Sequence, residues 1–335
     1  MKHVIVGGNG MVGRHLAGEL LQRGEDVVVV DVAKTALDIY RDVGFVNVDV
    51  AVPSAATKLP FGADDVVYNL SAQMLGAPRR RHHRREHYWP VNYYGTFHIL
   101  EAMLIAGASQ LVHFSTDLVY GRGRGVALTE QDAPAPIGEY GASKLASEEL
   151  AARYREFGMG VTIFRPRRIV GPGRHGFLSR LFNLIERNLP VPVFGSGHNP
   201  YQFVSAFDCA AAAVDAWTAG CPNEVYNLGS DDPPPQLEIL RRVIREADSS
   251  SFPISIPAAP VKLALGLLDR INLPLKEPER YLVADLPPIL DASKAKRELG
   301  WRPAFSDIDL AVDAYREYRA TQARPAAGPV VLPAE

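Results

Sequence analysis

The chain has 335 residues with 36 Lys and Arg against 38 Asp and Glu, a net charge of −2, and only two cysteines, Cys209 and Cys221. That length holds one large α/β domain and a smaller one with an ample core, while the charge balance gives no general reason to expect nucleic-acid or membrane association. Two cysteines are too few for a disulfide framework or a zinc site, so no metal is expected; with no secretory signal and no apolar run of membrane-spanning length, the expected compartment is the cytoplasm.

In chain order, His3-Val4-Ile5-Val6 reads as a short apolar strand, and Met11, Val12, Leu16, Leu20 and Leu21 then recur at helical spacing. Between them Gly7, Gly10 and Gly13 have separate tasks: a tight turn, close backbone approach to phosphate, and close packing of helix on strand. A dinucleotide pyrophosphate would sit at the helix start around Met11 and Val12, where unpaired N–H groups and the helix dipole favour negative charge. The strand Val27 to Val30 ends at Asp31, a carboxylate placed to bond a ribose 2′-hydroxyl and to repel a 2′-phosphate, which selects NAD over NADP. No arginine follows Asp31 directly.

The third and fourth strands lead to Asp49-Val50 and to Asn69-Leu70-Ser71-Ala72. Arg79 to His87 then places five arginines and three histidines in nine residues. This run reads as a solvated face or subunit contact, with anchoring of a substrate phosphate or carboxylate as the alternative; near-neutral overall charge disfavours nucleic acid. His98 and His113 lie in regular elements and read as core or helix-surface residues. Leu111 to Phe114 is a buried strand that runs into Ser115, Thr116 and Asp117, the end where open α/β sheets place ligands. Asp117 is either a second acid or a polar residue tied to nearby backbone.

Tyr140 and Lys144, four residues apart, share one helix face. A tyrosine with its ordinary pKa of about 10 is a poor base at neutral pH, but a neighbouring ammonium and a positive nicotinamide ring both favour the phenolate. Through about Val170, strands and helices alternate, which implies right-handed βαβ units and a doubly wound parallel sheet of the Rossmann type. Beyond Gly171, amphipathic helices near 176–188, 235–247 and 306–322 imply a smaller, mainly helical substrate domain. The expected division is therefore 1–171 with 203–229 returning to it, 172–202 with 230–322 for the substrate, and a mobile tail at 323–335. Val261 to Leu268 reads as an ordinary capping helix facing its own core, with a greasy lid over an acyl substrate as the alternative.

The glycine turn and the Tyr140/Lys144 pair are accompanied by Asn92 and Gly95-Thr96, Arg165-Pro166 leading to Gly171-Pro172, Gly195-Ser196-Gly197 with Asp208, and Asp291-Ala292-Ser293-Lys294 running to Gly300-Trp301. In these motifs the chain resembles an extended short-chain dehydrogenase/reductase of the NAD-dependent epimerase/dehydratase family, which includes nucleotide-sugar 4-epimerases and 4,6-dehydratases. The resemblance covers most of the chain. It implies that Thr116 hydrogen-bonds the reacting oxygen, that Tyr140 is the acid/base, and that Lys144 holds the nicotinamide ribose while lowering the Tyr140 pKa. It also implies that Asp49 and Val50 lie near the adenine, that Leu70, Ser71 and Ala72 line the dinucleotide crevice with Ser115 and Pro166 beside it, that Asn92 braces the strand ends, and that Arg167 offers backbone near the carboxamide. Family dimers use a helix pair beside the sheet, so a homodimer through the helices at 92–106 and 140–157 is expected.

Departures from the family pattern narrow the activity. The 4,6-dehydratases carry Thr-Asp-Glu where this chain has Thr116-Asp117-Leu118, and leucine cannot transfer a proton. Arg168 replaces an asparagine common in sugar epimerases, and Tyr201 replaces an arginine that contacts the nucleotide. Thr116, Asp117, Arg168 and Tyr201 are therefore the expected substrate contacts, with Tyr201 able to stack on a base and Arg168 supplying charge. The expected activity is NAD-dependent epimerisation of a nucleoside-diphosphate sugar through a keto intermediate. The alternative is a dehydrogenase or ketoreductase of a sugar or other small alcohol. A non-catalytic NAD-sensing protein is disfavoured, because a sensor has no need of Thr116, Tyr140 and Lys144 together.

Overall fold

The computed structural model describes residues 1–34, 43–76, 79–173 and 178–323. Seven strands, β1 (His3–Val6), β2 (Val27–Asp31), β3 (Gly44–Asn47), β4 (Val66–Asn69), β5 (Gln110–Phe114), β6 (Gly160–Pro166) and β7 (Val225–Leu228), form one parallel sheet in the order β7-β6-β5-β4-β1-β2-β3. The chain runs outward from β1 to β3, then returns to the far side of β1 and continues from β4 to β7. That reversal opens a crevice at the carboxyl ends of β1 and β4, the ligand position of doubly wound sheets.

Register brings the site residues level. Val6 lies opposite Val30 and Asn69, Asn69 opposite His113, and His113 opposite Ile163. The residues that follow, the Gly7 turn, Asp31 and Leu70, with Ser115 one position beyond the end of β5, therefore emerge along one edge.

Helices cover both faces, which is why the central strands are near-continuous runs of valine rather than alternating sequences. On one face Ile5, Val29 and Tyr68 pack with Leu16 and Leu20 of α1 (Met11–Gln22). On the other, Val4, Val6, Val30 and Val67 pack with Ile99 and Met103, later in the chain. Full burial of a leucine such as Leu16 stabilises the fold by about 1.5–3 kcal/mol. The second layer includes α2 (Arg81–Trp89), α3 (Thr96–Ala106) and α4 (Glu139–Arg153).

Beyond the sixth strand come α5 (Leu178–Glu186), α6 (Ala206–Thr218), α7 (Gln236–Glu246), α8 (Ala258–Arg270), α9 (Pro278–Tyr281), α10 (Ser293–Leu299) and α11 (Asp307–Ala323). α6 returns to the sheet beside α1, through Cys209 and Ala213. α5, α7 and α11 enclose a separate core of Phe182, Val193, Phe203, Val243, Leu310 and Tyr315, in keeping with the helical patterning expected there. The Asp291 to Trp301 motif has a mechanical reason: Asp291 Oδ1 accepts the Ser293 N–H at 2.7 Å, Gly300 ends α10 in the left-handed region at φ +72°, and Trp301 is buried with its indole N–H on Asp208 O at 2.9 Å. Of the tail expected to be mobile at 323–335, Ala323 is the last residue of α11 and 324–335 lie outside the described residues.

Val261 to Leu268 departs from expectation. It is helical within α8, but the only buried residue of that helix is Asp269, and Leu263 and Leu267 are 66% and 51% exposed. Polar anchors orient it: Asp269 pairs with Arg84 of α2 and Lys262 with Asp285, so the apolar side chains are left outward instead of facing a core.

Candidate active site

Gly7 has φ +81°, and a Cβ there would lie 2.7 Å from Leu70 C and Ser71 N, so the turn after β4 presses directly on the glycine turn. A Cβ on Gly13 would lie 2.6 Å from Gly8 Cα, which accounts for the close departure of α1 from β1. Gly10 is the N-cap of α1 and has no side-chain acceptor to offer, which leaves that capping role to a ligand. Met11 and Val12 open the helix, Met11 half-buried and Val12 buried.

Asp31 accepts the Asn9 N–H at 2.9 Å and the Val32 N–H at 2.8 Å, which ties the acid to the glycine turn. Burial pushes its carboxyl up, and the two N–H donors oppose that rise. Asp49 is exposed after β3, with Oδ1 on the Ala51 N–H at 2.9 Å, and Val50 is buried against Gly95, whose Cβ would meet Val50 Cγ2 at 2.8 Å. Leu70, Ser71 and Ala72 are half-buried beside the Gly7 turn, with Ser71 Oγ donating to Asn69 Oδ1 at 2.6 Å. These positions fit a dinucleotide along the crevice. Asp31→Ala is expected to move the NAD-to-NADP affinity ratio toward NADP by about tenfold or more, because a hydrogen bond to a charged group contributes about 1.5–3 kcal/mol. Calorimetric titration with both nucleotides checks this, and an unchanged ratio would remove Asp31 from the selectivity argument.

The hydroxyl end of the crevice is built on α4 and the turn after β5. Thr116 is the N-cap of the 3-10 turn Asp117–Tyr120; its Oγ1 accepts the Leu118 N–H at 3.3 Å and donates to Asp117 Oδ1 at 3.2 Å. Gly141 follows Tyr140 for a steric reason, since a Cβ there would lie 2.8 Å from Leu118 O. Its absence lets α4 approach the Thr116 turn. Asn92, on the π-helical turn Pro90–Gly95 that leads into α3, accepts the Gln73 N–H at 2.8 Å and donates to Ser143 Oγ at 2.9 Å, which ties the strand-end loop to the helix of Tyr140.

Lys144 is 1% exposed, and its Nζ has no hydrogen-bond partner among the described residues. Burial pulls its pKa down to about 8, with Glu148 opposing the fall. An ammonium in this position calls for an acceptor from outside the chain, such as ribose hydroxyls. Behind it, His113 Nδ1 meets Asn69 Nδ2 at 3.2 Å and Nε2 meets Ser147 Oγ at 3.0 Å, while Ser147 Oγ donates to Lys144 O at 2.7 Å. Burial, and then the Lys144 charge, hold His113 well below the ordinary histidine value. His113 is thus a neutral spacer in the core, and His98 likewise is buried, with Nδ1 on Val50 O at 2.8 Å.

Asp117 is 3% exposed and ion-paired with Arg167, itself 1% exposed, so its tie is to a guanidinium from the end of β6 and not to nearby backbone. Arg167 also donates its backbone N–H to Leu228 O at 2.7 Å, which leaves only the carbonyl side of that residue for the expected carboxamide contact. Ser115 and Pro166 end on adjoining strands, with the Ser115 N–H on Phe164 O at 2.7 Å. Arg168 lies over the Tyr201 ring at 4.5 Å, so both expected substrate residues come together.

Several neighbours were not foreseen. Glu148 makes a multidentate pair with Arg165 at 2.6 to 3.1 Å, and Arg165 reaches Tyr120 Oη at 2.9 Å, which bolts α4 to β6. Its spacing of four from Lys144 is the signal that sequence offered. Lys276 and Arg280 lie near Arg180: burial, then Arg180 and Arg280, lower Lys276, and burial lowers Arg280 with Arg180 and Arg168 among the contributing charges. Arg180 comes from α5, far in sequence from Lys276 and Arg280, and no local pattern announces their meeting. The basic run divides by helix face, with Arg84 and Tyr88 inward and Arg81, His82, His83 and Arg85 exposed.

A doubly wound sheet with a glycine turn, an acid after β2 and a Tyr/Lys helix beside the β5 end defines a short-chain dehydrogenase/reductase scaffold. The sequence matches the NAD dependent epimerase/dehydratase family over residues 3–229, and the chain belongs to that family. It is 31% identical to an uncharacterized protein, y4nG, of Sinorhizobium fredii across 96% of this chain and 79% of the relative. It is 25% identical to a UDP-glucose 4-epimerase of Corynebacterium glutamicum across 93% and 94%. The solved structure of a single-site mutant of the UDP-glucuronic acid 4-epimerase of Bacillus cereus, in complex with a fluorinated UDP-sugar and NAD, shares the fold with a TM-score of 0.77 at 24% identity, across 96% of this chain and all of that one. NAD is the cofactor of this chain.

Proposed function

We propose that this chain is an epimerase of a nucleoside-diphosphate sugar acting through a transient keto intermediate. The observation that carries this reading is the buried, unpartnered Lys144 on the same helix face as Tyr140, against the Thr116 turn. Bound NAD⁺ would accept the hydride of the first half-reaction, and the NADH so formed would return it in the second. Tyr140, as phenolate, takes the sugar hydroxyl proton and later returns it; Lys144 as ammonium favours the phenolate. Thr116 turns its hydroxyl from Asp117 to the sugar oxygen, a small change because Arg167 already neutralises Asp117. Leu118 supplies no proton, which disfavours dehydration.

Arg168, Arg180, Lys276 and Arg280 would balance a diphosphate, and Tyr201 would stack on the base. The enzyme would act in the cytoplasm, with residues 172–202 and 230–322 as its substrate domain. Among the described residues no helix is long and apolar enough to cross a membrane. Phe97, Leu104 and Ile105 are exposed on α3, with Tyr94 just before it and Phe157 just beyond α4. These support a homodimer through the α3 and α4 faces.

Native mass spectrometry of the purified protein, alone and with a panel of UDP-, dTDP-, GDP- and CDP-sugars, tests the reading. Retained NAD with selective binding of one sugar nucleotide is the expected result. An empty cofactor site with no nucleotide selectivity would overturn it in favour of a dehydrogenase or ketoreductase acting on a smaller alcohol.

A further inference from the structure

The helix that carries Tyr140 has no capping side chain of its own. Its N-cap is Gly138, in extended backbone at φ −137° and ψ −177°. The acceptor comes from α9: Glu279, 2% exposed, takes the Tyr140 N–H on Oε1 at 3.1 Å. A Cβ on Gly138 would lie 2.1 Å from Glu279 Oε1 and 2.3 Å from its Cδ, so the carboxylate fills the volume that a local capping side chain would use. Charge and position both suit a helix start, where first-turn N–H groups and the dipole favour an anion.

The same segment is fixed from its other side. Glu277, 1% exposed, accepts the Arg79 N–H at 2.7 Å and faces Arg84 Nε at 2.8 Å. α2, which carries Arg84, also presents Tyr88, whose ring meets the Tyr140 ring edge-on with centroids 5.7 Å apart. Arg280, next to Glu279, donates to Leu75 O at 2.5 Å, one residue beyond the Met74 sulfur that lies 3.6 Å from Tyr140 Oη. The segment Glu277 to Arg280, at the start of α9, thus touches the backbone of the phenol, the helix packed on its ring and the loop over its hydroxyl.

We infer that Glu279 is a positioning residue for Tyr140, capping α4 from the substrate-binding part of the chain; the inference rests on the proposed acid/base role of Tyr140. It makes the phenol's alignment depend on where α9 sits.

Glu279→Ala, Gly138→Ser and the double variant test this in the full NAD-loaded protein, by hydrogen exchange at the Tyr140 amide and by kcat and KM across the same panel of sugar nucleotides. Glu279→Ala is expected to speed that exchange about five- to tenfold and to lower kcat about ten- to a hundredfold with KM within about twofold. Gly138→Ser alone sets a side chain against the carboxylate and is expected to lower kcat in the same way. In the double variant the serine hydroxyl enters the vacated volume and caps the helix, so both readouts return to within about threefold of wild type. A general loss of packing would not show this reciprocal rescue. Glu279→Gln, which keeps an acceptor oxygen, is expected to keep the amide protected and serves if the alanine variant does not fold. Unchanged exchange in Glu279→Ala, exposed amide with intact kcat, or a double variant no better than the singles would each overturn the inference. A wild type that turns over none of the panel counts against the epimerase reading, while the exchange result still decides the cap.

Discussion

Tyr140→Phe is expected to lower turnover of the selected sugar nucleotide about a thousandfold, within the range of about 10²–10⁴ that a positioned acid/base contributes. Loss of one oxygen removes the group that takes the hydroxyl proton in the first half-reaction and returns it in the second, so both halves fail together. The fold has little reason to respond. The ring keeps its edge-on contact with Tyr88, and the backbone N–H keeps its bond to Glu279. Steady-state assay combined with native mass spectrometry separates the outcomes: a variant that retains NAD and loses turnover supports the assignment, whereas one with full turnover would sink it.

Lys144→Met should move stability and activity in opposite directions. The wild-type ammonium is buried without a partner, and its fall from the ordinary lysine value of 10.5 to about 8 corresponds to about 3 kcal/mol of lost stability in the cofactor-free protein when the group is charged. The sign follows from proton binding. Between the folded and unfolded pKa values the unfolded chain holds the proton more tightly, so the penalty is complete below about pH 8 and fades as pH rises toward 10.5. Thermal unfolding near neutral pH should therefore show the methionine variant as the more stable protein, with the gap closing at alkaline pH. Added NAD should raise the wild-type midpoint more than the variant's, because ribose hydroxyls give the ammonium its missing acceptors. Turnover should fall about a hundredfold or more without the charge that favours the phenolate. A variant no more stable than wild type at neutral pH would show that the ammonium is already satisfied, and the fit of Lys144 to the cofactor would lose its support.

Much of the fold was legible because its signals are local. The valine runs of β1 and β2, the glycine turn and the spacing of Tyr140 from Lys144 each depend on residues within a few positions of one another. Asp31 was readable for the same reason, as the acid that ends a strand. What sequence did not reveal is partnered across the fold. Arg165 with Glu148, Arg167 with Asp117, and Glu279 with Tyr140 join residues 17, 50 and 139 apart, and nothing in a local window marks them as pairs. Asp117 stayed ambiguous for that reason, since its role depends on a guanidinium from the end of another strand. α8 misled for a different reason. Its leucines have a core-like composition, but the burial of one aspartate and its pairing with Arg84 decide which way the helix turns.

The order of the strands bears on how the chain is made. β6 is an interior strand of the finished sheet only because β7 covers its outer edge, and β7 lies at Val225–Leu228, after two further helices have been synthesised. Until the ribosome has released residue 228, the nascent sheet carries an open, apolar edge at Gly160–Pro166, the kind of template that recruits stray strands. A fragment cut near residue 171 would carry the whole glycine turn and the Tyr/Lys helix, yet it would keep that sticky border permanently. Vectorial synthesis therefore favours quick passage through the intervening segment, or a chaperone that shields the border until the last strand arrives.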